Sequence, residues 1–365
     1  MTTSRHYTLI TPRLDDTGPC NVAVDIGRAA SNAGWTVSLR YLSGHPSRND
    51  LTQFQDVRRL SVSDLVSTSG VIHTHCLRPD LIGWLFTFNS KCTVITTLHN
   101  HFLIDLSFDY SPLKVRLAWR LWSTALRRFD HRVCISQTMR RYYRRLMPDL
   151  EFDVAYNFRS DPEASDGVFV LPPRLVDWLR LQRLEGRVVL AYVGSLTRRK
   201  NLTPLVEALA GGDEVALVLC GKGSQLPELE QTVVELGLSA RVLFLGQVAS
   251  PREVVRMCDI LVLPSLAEGL PLAVLEAISV GRPCVLSNIG VHRELARLGV
   301  GVTFDHRDFS DFATKVVAVT SGRPPGQAPD PGLQLLWRNV FSSKVGFGRY
   351  QTLLCSVSRR FRARR

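Results

Sequence analysis

Glu268 and Glu276 lie eight positions apart in the stretch 267–276, AEGLPLAVLE, on either side of a Gly-Leu-Pro turn. A carboxylate repels phosphate but accepts two hydrogen bonds from a neighbouring diol, such as a ribose or a hexose offers. On the flanks, DILVLPS (259–265) and PCVLS (283–287) are apolar runs of strand length. Between them Pro271 suits a first helical turn, and Gly281 followed by Arg282-Pro283 is a helix stop. The unit reads as strand, turn, helix, strand. In parallel α/β sheets ligands bind beyond the carboxyl ends of the strands, where helix-start N–H groups attract anions. Glu268 is expected at the edge of that crevice, and Glu276 about one and a half turns into the helix. Phosphate on the helix start with hydroxyls on the glutamates describes a nucleotide sugar.

Elements able to hold such side chains recur along the chain. At 365 residues, 45% hydrophobic and with mean hydropathy near zero, the protein is long enough for two domains with full cores. No uninterrupted apolar run approaches membrane-spanning length, and the start MTTSRHYTLITPRL lacks a signal-peptide core, so a cytosolic protein is expected. The eight cysteines form no CxxC pair and several sit in apolar runs such as ALVLC, which fits buried reduced thiols better than disulfides or zinc. The first half opens with YTLITPR, a loop LDDTGPC and the helical pattern NVAVDIGRAASNAG, then strands WTVSLRYL, VIHTH, CTVITTLH and RVCIS. The second half repeats this architecture with RVVLAYVGS, EVALVLCG, RVLFLG, DILVLPS and PCVLS. Short apolar strands alternating with helical segments predict parallel sheets. Asp, Pro and Gly clusters mark a linker at 166–187, between a first domain at 1–165 and a second at 188–340, with 341–365 as closing segment.

The second half resembles the donor-binding domain of the GT-B glycosyltransferases of family 4, which move sugars from nucleotide diphosphate donors. AYVGSLTRRKNLTPLVEAL is similar to their first strand, phosphate loop and helix, and LVLCGKGSQLPELEQTVVELGLSARVLFLGQV to the stretch that reaches the base pocket. Glu268 and Glu276 match their E-x7-E motif with its Gly-Leu-Pro insert. The first half resembles the family more loosely, through the TGP loop, the strand ending TTLH, and RFDHRVCISQTMRR. The resemblance implies an α/β GT-B fold: two facing Rossmann-like domains with a central interdomain cleft, the first binding acceptor, the second binding nucleotide sugar, and a last helix returning to the first. It also implies retaining transfer of a hexose-type sugar to a sugar or polyprenyl-linked sugar acceptor in surface polysaccharide assembly. No metal and no other cofactor is required in that reading.

Residue by residue, Lys200 matches the family's phosphate lysine, Glu276 the glutamate on the ribose hydroxyls, and Glu268 the one that contacts the transferred sugar. Gly194, Ser195 and Arg199 lie in the same phosphate loop; Ser195 stands where the family often has arginine, leaving Arg198 or Arg199 to supply a second charge. Backbone amides of Gly269 and Leu270 are expected to face phosphate or sugar. Gly221 and Gly223 permit a tight turn near the nucleotide, and Gln247 and Val248 fall where family members hold the base. In the first half Gly18, in Gly18-Pro19 where many members have two glycines, sits in the loop that approaches the diphosphate, and His99 matches a histidine beside the donor sugar. His99, Lys200 and Glu268 are the catalytic candidates. His73 and His75 share a strand face, but no carboxylate or cysteine stands at ligand spacing, so no metal site is expected.

Other classes fail on their motifs. Neither VGSLTRRKN nor CGKGSQL supplies the G-x-G-x-x-G of a dinucleotide enzyme, and G-x4-G-K-[ST] is absent. The alternative is a catalytically silent GT-B scaffold of a polysaccharide assembly: intact Lys200, Glu268 and Glu276 argue against it, while Ser195 and Gly18-Pro19 leave it open. The net charge of +12 calls for an anionic partner, and no nucleic-acid recognition motif accompanies it. Instead the stretch 114–145 interleaves Lys114, Arg116, Arg120, Arg127, Arg128, Arg132, Arg140, Arg141, Arg144 and Arg145 with Trp119, Trp122, Tyr142 and Tyr143. Such an Arg/Trp helix, started at Ser111-Pro112, suits an anionic membrane surface, and the tail SRRFRARR adds a second patch. The expected location is cytoplasmic, peripheral on the inner face of the cell membrane.

Overall fold

The computed structural model describes residues 6–15, 17–44, 51–159, 171–320 and 325–363, with side chains as far as 353. The chain divides into two compact units, Met1–Ser160 with Val340–Arg365, and Asp161–Asn339. Among the described residues the first holds seven parallel strands: β1 (His6–Arg13), β2 (Thr36–Ser43), β3 (Asp56–Arg59), β4 (Gly70–His75), β5 (Cys92–Leu98), β6 (His131–Cys134) and β7 (Asp153–Val154). The second holds six: β8 (Val188–Val193), β9 (Val215–Cys220), β10 (Val242–Gly246), β11 (Ile260–Leu263), β12 (Cys284–Ser287) and β13 (Gly301–Phe304). Their orders are β3-β2-β1-β4-β5-β6-β7 and β10-β9-β8-β11-β12-β13. Both are Rossmann-like. In each the strand order reverses beside the first strand, so the switch point lies between β1 and β4 in one unit and between β8 and β11 in the other.

Strands covered on both faces read as unbroken apolar runs, which is why β8 to β12 were legible. Val189, Leu190, Ala191 and Tyr192 in β8 are all fully buried. Three strands fall outside the expected set for the opposite reason. β3 is the charged edge strand DVRR, held by ion pairs of Arg40 with Asp56 at 2.7 Å and of Arg58 with Asp64 at 2.6 Å rather than by apolar burial. β7 has only two residues, and β13, GVTF, is half-buried at three of its four positions and carries no unbroken apolar run.

The expected linker at 166–187 needs correction. Its second part is the helix Pro173–Leu184, which buries Leu175 and Leu179 within the second unit, while residues 166–170 lie outside the described ones. The closing helix Ser343–Ala363 belongs to the first unit, where Phe347 and Tyr350 are buried and the Tyr350 hydroxyl lies 3.1 Å from Thr97 Oγ1. Side chains of the tail SRRFRARR lie outside the described residues. Among the described cysteines all seven are free thiols, five of them buried.

Asp80 pins two helices of the first unit onto its sheet. It sits on the helix Leu77–Phe86 and is fully buried. Its Oδ1 accepts from Thr74 Oγ1 at 2.5 Å and Thr96 Oγ1 at 2.7 Å, and Oδ2 from the Trp122 indole N–H at 2.7 Å. Burial pushes its carboxyl up to about 7 against the pull of those three donors. Trp122 is therefore a core residue of the helix Pro112–Leu126, not a surface one. Asp80→Asn leaves a single acceptor oxygen for three donors, and is expected to cost about 1 to 3 kcal/mol near pH 5 in urea unfolding. The folded pKa lies above the ordinary carboxylate value, so the parent loses stability as pH rises from about 4 to about 7 and the gap to the variant narrows over that window. A gap that widens with pH would contradict this assignment.

Candidate functional site

In the second unit the carboxyl ends of β8 and β11 bring the sequence candidates together. After β8 the chain passes through Gly194 and Ser195 into a short turn, Arg198–Lys200, and Asn201 at φ 55° starts the helix Leu202–Leu209. After β11 it forms the loop 264–270 and enters the helix Leu272–Ser279 with Pro271 at the N-cap. That helix ends as its sequence dictates, with Gly281 in the left-handed region at φ 71°.

The two segments meet in a buried ion pair. Lys200, 9% exposed, donates from Nζ to Glu268 Oε1, and Glu268 is 6% exposed. Ser265 Oγ donates to the same oxygen at 2.8 Å. Arg199 donates to the Ala267 carbonyl at 2.7 Å and approaches Glu268 Oε2 at 3.5 Å, while Leu266 N–H donates to the Arg199 carbonyl at 2.9 Å. Arg199 is thus turned onto the glutamate loop and Arg198 is exposed. Burial alone pushes the Glu268 carboxyl up; Lys200 and Arg199 outweigh it and hold the group down to about 2.

The phosphate-loop candidates are packed against the CGKG turn. Gly194 N–H donates to the Cys220 carbonyl at 3.0 Å, and Gly221 N–H to that of Gly246 at 2.8 Å. Gly221 has φ 151°, and a Cβ there would lie 1.8 Å from the Gly194 carbonyl oxygen, so only glycine allows the close approach. Ser195 is exposed, and its carbonyl accepts from the Tyr192 hydroxyl at 2.8 Å. Gln247 is exposed and Val248 half-buried directly after β10. Gly269 and Leu270 are buried at the entrance of the helix that carries Glu276, itself 7% exposed.

The first unit presents a neutral counterpart. His99 follows β5, is half-buried, and its Nε2 lies 2.8 Å from Nδ1 of His75 at the end of β4. His73, two residues earlier, is flanked by the Tyr7 hydroxyl at 2.6 Å and Thr97 Oγ1 at 2.7 Å. Burial holds all three imidazoles well below their ordinary pKa, so they are neutral near pH 7. No group of three or more His, Cys, Asp or Glu able to hold a metal occurs among the described residues. Cys76 turns the chain after His75 with φ 73° and ψ 167°, a region nearly restricted to glycine. Gly18 departs from the expected loop: it is the first residue of the helix Gly18–Asn32, and a Cβ on it would meet nothing within 4 Å.

The aromatic residues of 114–145 also need correction. Tyr143 is fully buried and hydrogen-bonds the Asn100 carbonyl at 2.5 Å, and the half-buried Tyr142 accepts from Leu103 N–H at 3.0 Å. With Trp122 and the half-buried Trp119 they form a cluster under the segment that follows His99. What the helix Pro112–Leu126 exposes is Leu113 (77%), Leu117 (69%) and Leu121 (49%), four residues apart, beside exposed Lys114, Arg116 and Arg120.

Sequence reasoning missed Ser265, Ser287 and His292. Ser287 Oγ donates to the Ser265 carbonyl at 2.6 Å, and His292 Nδ1 lies 2.9 Å from Ser287 Oγ. The available signal was a serine ending each of two adjacent apolar strands, DILVLPS and PCVLS.

Lys200→Met leaves the Glu268 carboxylate buried with weaker partners. Because the parent carboxyl is held at about 2, its stabilisation is complete above about pH 4.5 and is lost only as pH falls toward 2. The variant is expected to be less stable by about 3 kcal/mol at pH 7, with the deficit shrinking toward pH 4 as Glu268 takes up a proton. Urea unfolding at both pH values checks this, and a deficit independent of pH would refute it.

The comparisons with known proteins agree with this geometry. A family model for Glycosyltransferase Family 4 matches residues 8–158, and one for Glycosyl transferases group 1 matches residues 180–327, one in each unit. The O-antigen biosynthesis glycosyltransferase WclY of Escherichia coli is 27% identical over 62% of this chain and 63% of its own, so the chain matches under two thirds of that relative's length. The UDP-Gal:alpha-D-GlcNAc-diphosphoundecaprenol alpha-1,3-galactosyltransferase of Escherichia coli is 33% identical over 37% of each chain. Among solved structures, Anabaena Alr3699/HepE in complex with UDP superposes with a TM-score of 0.75 at 18% identity, covering 96% of this chain and 100% of that one. With two parallel Rossmann-like sheets and both family models in chain order, the protein belongs to the GT-B glycosyltransferases of family 4 type.

Proposed function

We propose that the chain is a retaining, metal-independent glycosyltransferase that moves a hexose-type sugar from a nucleotide diphosphate sugar to a sugar or polyprenyl-linked sugar acceptor in surface polysaccharide assembly. The observation that carries this reading is the buried Lys200–Glu268 pair at the switch point of the second sheet. Lys200 and Glu268 neutralise each other; a diphosphate competes for the lysine, and the freed carboxylate then accepts hydroxyls of the sugar. Glu276 takes the ribose hydroxyls, and Gln247 and Val248 border the base. Charge developing on the leaving phosphate is met by Lys200, Arg199 and the amides of Gly269 and Leu270 at the helix start, without a metal. The departing phosphate takes the acceptor proton, so no dedicated base is needed, and His99 orients the sugar. HepE, solved with UDP and with UDP-glucose, supports a nucleotide-sugar donor, and the name of the galactosyltransferase relative supports a lipid-linked acceptor.

The membrane part of the reading rests on the exposed leucines of the helix Pro112–Leu126. Leu113, Leu117 and Leu121 form an apolar stripe, and Lys114, Arg116 and Arg120 beside it have no ion pair among the described residues. An apolar stripe bordered by cations suits the headgroup region of an anionic leaflet. No described helix is long and apolar enough to cross a membrane. The proposed location is peripheral, on the inner face of the cell membrane.

Calorimetry is expected to show that Lys200→Ala and Glu276→Ala each weaken nucleoside diphosphate binding by about 1.5 to 3 kcal/mol, the range for hydrogen bonds to charged groups. Affinities equal to the parent's would displace the site. Radiolabelled donor hydrolysis should survive EDTA and fall in His99→Ala with nucleotide affinity kept. In flotation, replacing Lys114, Arg116 and Arg120 by glutamine should lower partition onto anionic vesicles by about a hundredfold, at about 1 kcal/mol for each charge. Equal binding to neutral vesicles, or binding insensitive to salt, would remove the membrane from the account.

A further inference from the structure

The ladder between β11 and β12 ends at Leu263 and Leu286, yet the two strands stay joined beyond it by side chains. Ser287 Oγ donates to the Ser265 carbonyl at 2.6 Å, and Ser265 Oγ donates to Glu268 Oε1 at 2.8 Å. His292, on the helix Gly290–Arg297 and fully buried, places Nδ1 2.9 Å from Ser287 Oγ and 3.0 Å from the Ser287 carbonyl. The polarity of this relay is forced. A carbonyl only accepts, and the single hydroxyl proton of Ser287 is committed to Ser265, so the imidazole nitrogen facing Ser287 carries a proton. His292 is the Nδ1–H tautomer. Its Nε2 is a bare acceptor, buried and without a partner among the described residues. A second proton there would bury a cation near Lys200, and burial keeps the ring neutral, with its pKa down to about 4.

We propose that His292 is a positioning residue for Glu268. Acting through Ser287 and Ser265, it keeps the carboxylate aimed when Lys200 turns to the diphosphate of the donor. Glu268 Oε1 has two donors, Lys200 and Ser265, and Oε2 has the longer contact from Arg199. Once Lys200 is drawn away, the Ser265 hydroxyl is the short contact that remains. Ser265 lies past the end of its strand, so its backbone is held by Ser287 rather than by the ladder, and Ser287 is oriented by His292. This role rests on the function proposed above.

Three substitutions at one position separate positioning from bulk. His292→Asn offers an amide N–H where Nδ1 stood, His292→Gln offers one nearer Nε2, and His292→Leu offers none. His292→Leu and His292→Gln are expected to lower donor turnover about 10- to 100-fold with the UDP dissociation constant within about twofold, and His292→Asn to recover most of the loss. Adding Ser265→Ala to His292→Leu should cost no more than the worse single change, because both break one relay. A readout free of substrate comes from the ¹³C carboxyl resonance of Glu268, which is faced by Lys200, Arg199, Tyr192 and His292. It should titrate at higher pH in His292→Leu and Ser265→Ala than in the parent or His292→Asn. Should His292→Leu not fold, Ser287→Ala interrupts the same relay. Equal behaviour of the leucine and asparagine variants, multiplicative losses, or an unmoved Glu268 titration would overturn the proposal. A parent that binds no UDP and turns over no donor counts against the proposed function instead, and the carboxyl titration still decides the role of His292.

Discussion

Neither Lys200 nor Glu268 is tolerable in its place without the other. Each is buried in the connection that follows a central strand, where an unpaired charge would cost several kcal/mol. The pair therefore demands that the chain after β8 and the chain after β11 arrive together, and most of the surrounding detail serves that meeting. Gly221 lets the CGKG turn press against Gly194, Asn201 accepts a left-handed conformation so that a helix can begin directly after Lys200, and Arg199 holds the glutamate loop by its side chain and its carbonyl.

The two switch points differ in electrical character. The second unit places a carboxylate, a lysine and an arginine at the strand ends, whereas the first places neutral imidazoles joined to buried hydroxyls of Tyr7, Thr97 and Tyr350. Neutral donors and acceptors suit uncharged hydroxyls, and the charged cluster suits a diphosphate. The closing helix contributes to the neutral side through Tyr350, which ties the C-terminal segment to β5.

How much of this was legible depended on burial. The central strands and the helix that follows Glu268 could be read directly, because a parallel strand covered on both faces leaves a continuous apolar run and Gly281 is a clear stop. β3 could not, since its DVRR is stabilised by ion pairs with partners outside the strand, Arg40 of β2 and Asp64. The Arg/Trp stretch misled for a related reason: periodicity shows which residues share a face but not which face is covered, and Asp80 draws Trp122 inward while the leucines are left outside. Lys200, Glu268 and Glu276 were singled out by motif, yet the contact between the first two is a property of the fold. His292 carried no pattern: its partner Ser287 is five residues away, but Ser287 reaches Ser265, and through it Glu268, only when β11 and β12 are side by side.

In the proposed function Lys200 leaves Glu268 to meet the second phosphate of a nucleotide. Calorimetric titration of UDP and UMP into the parent and Lys200→Met tests it most directly. UDP is expected to bind the parent at least about tenfold more tightly than UMP, a difference of about 1.4 kcal/mol, and this preference to disappear in Lys200→Met. Equal affinities for UDP and UMP in the parent, or a preference that survives the loss of the lysine, would contradict it.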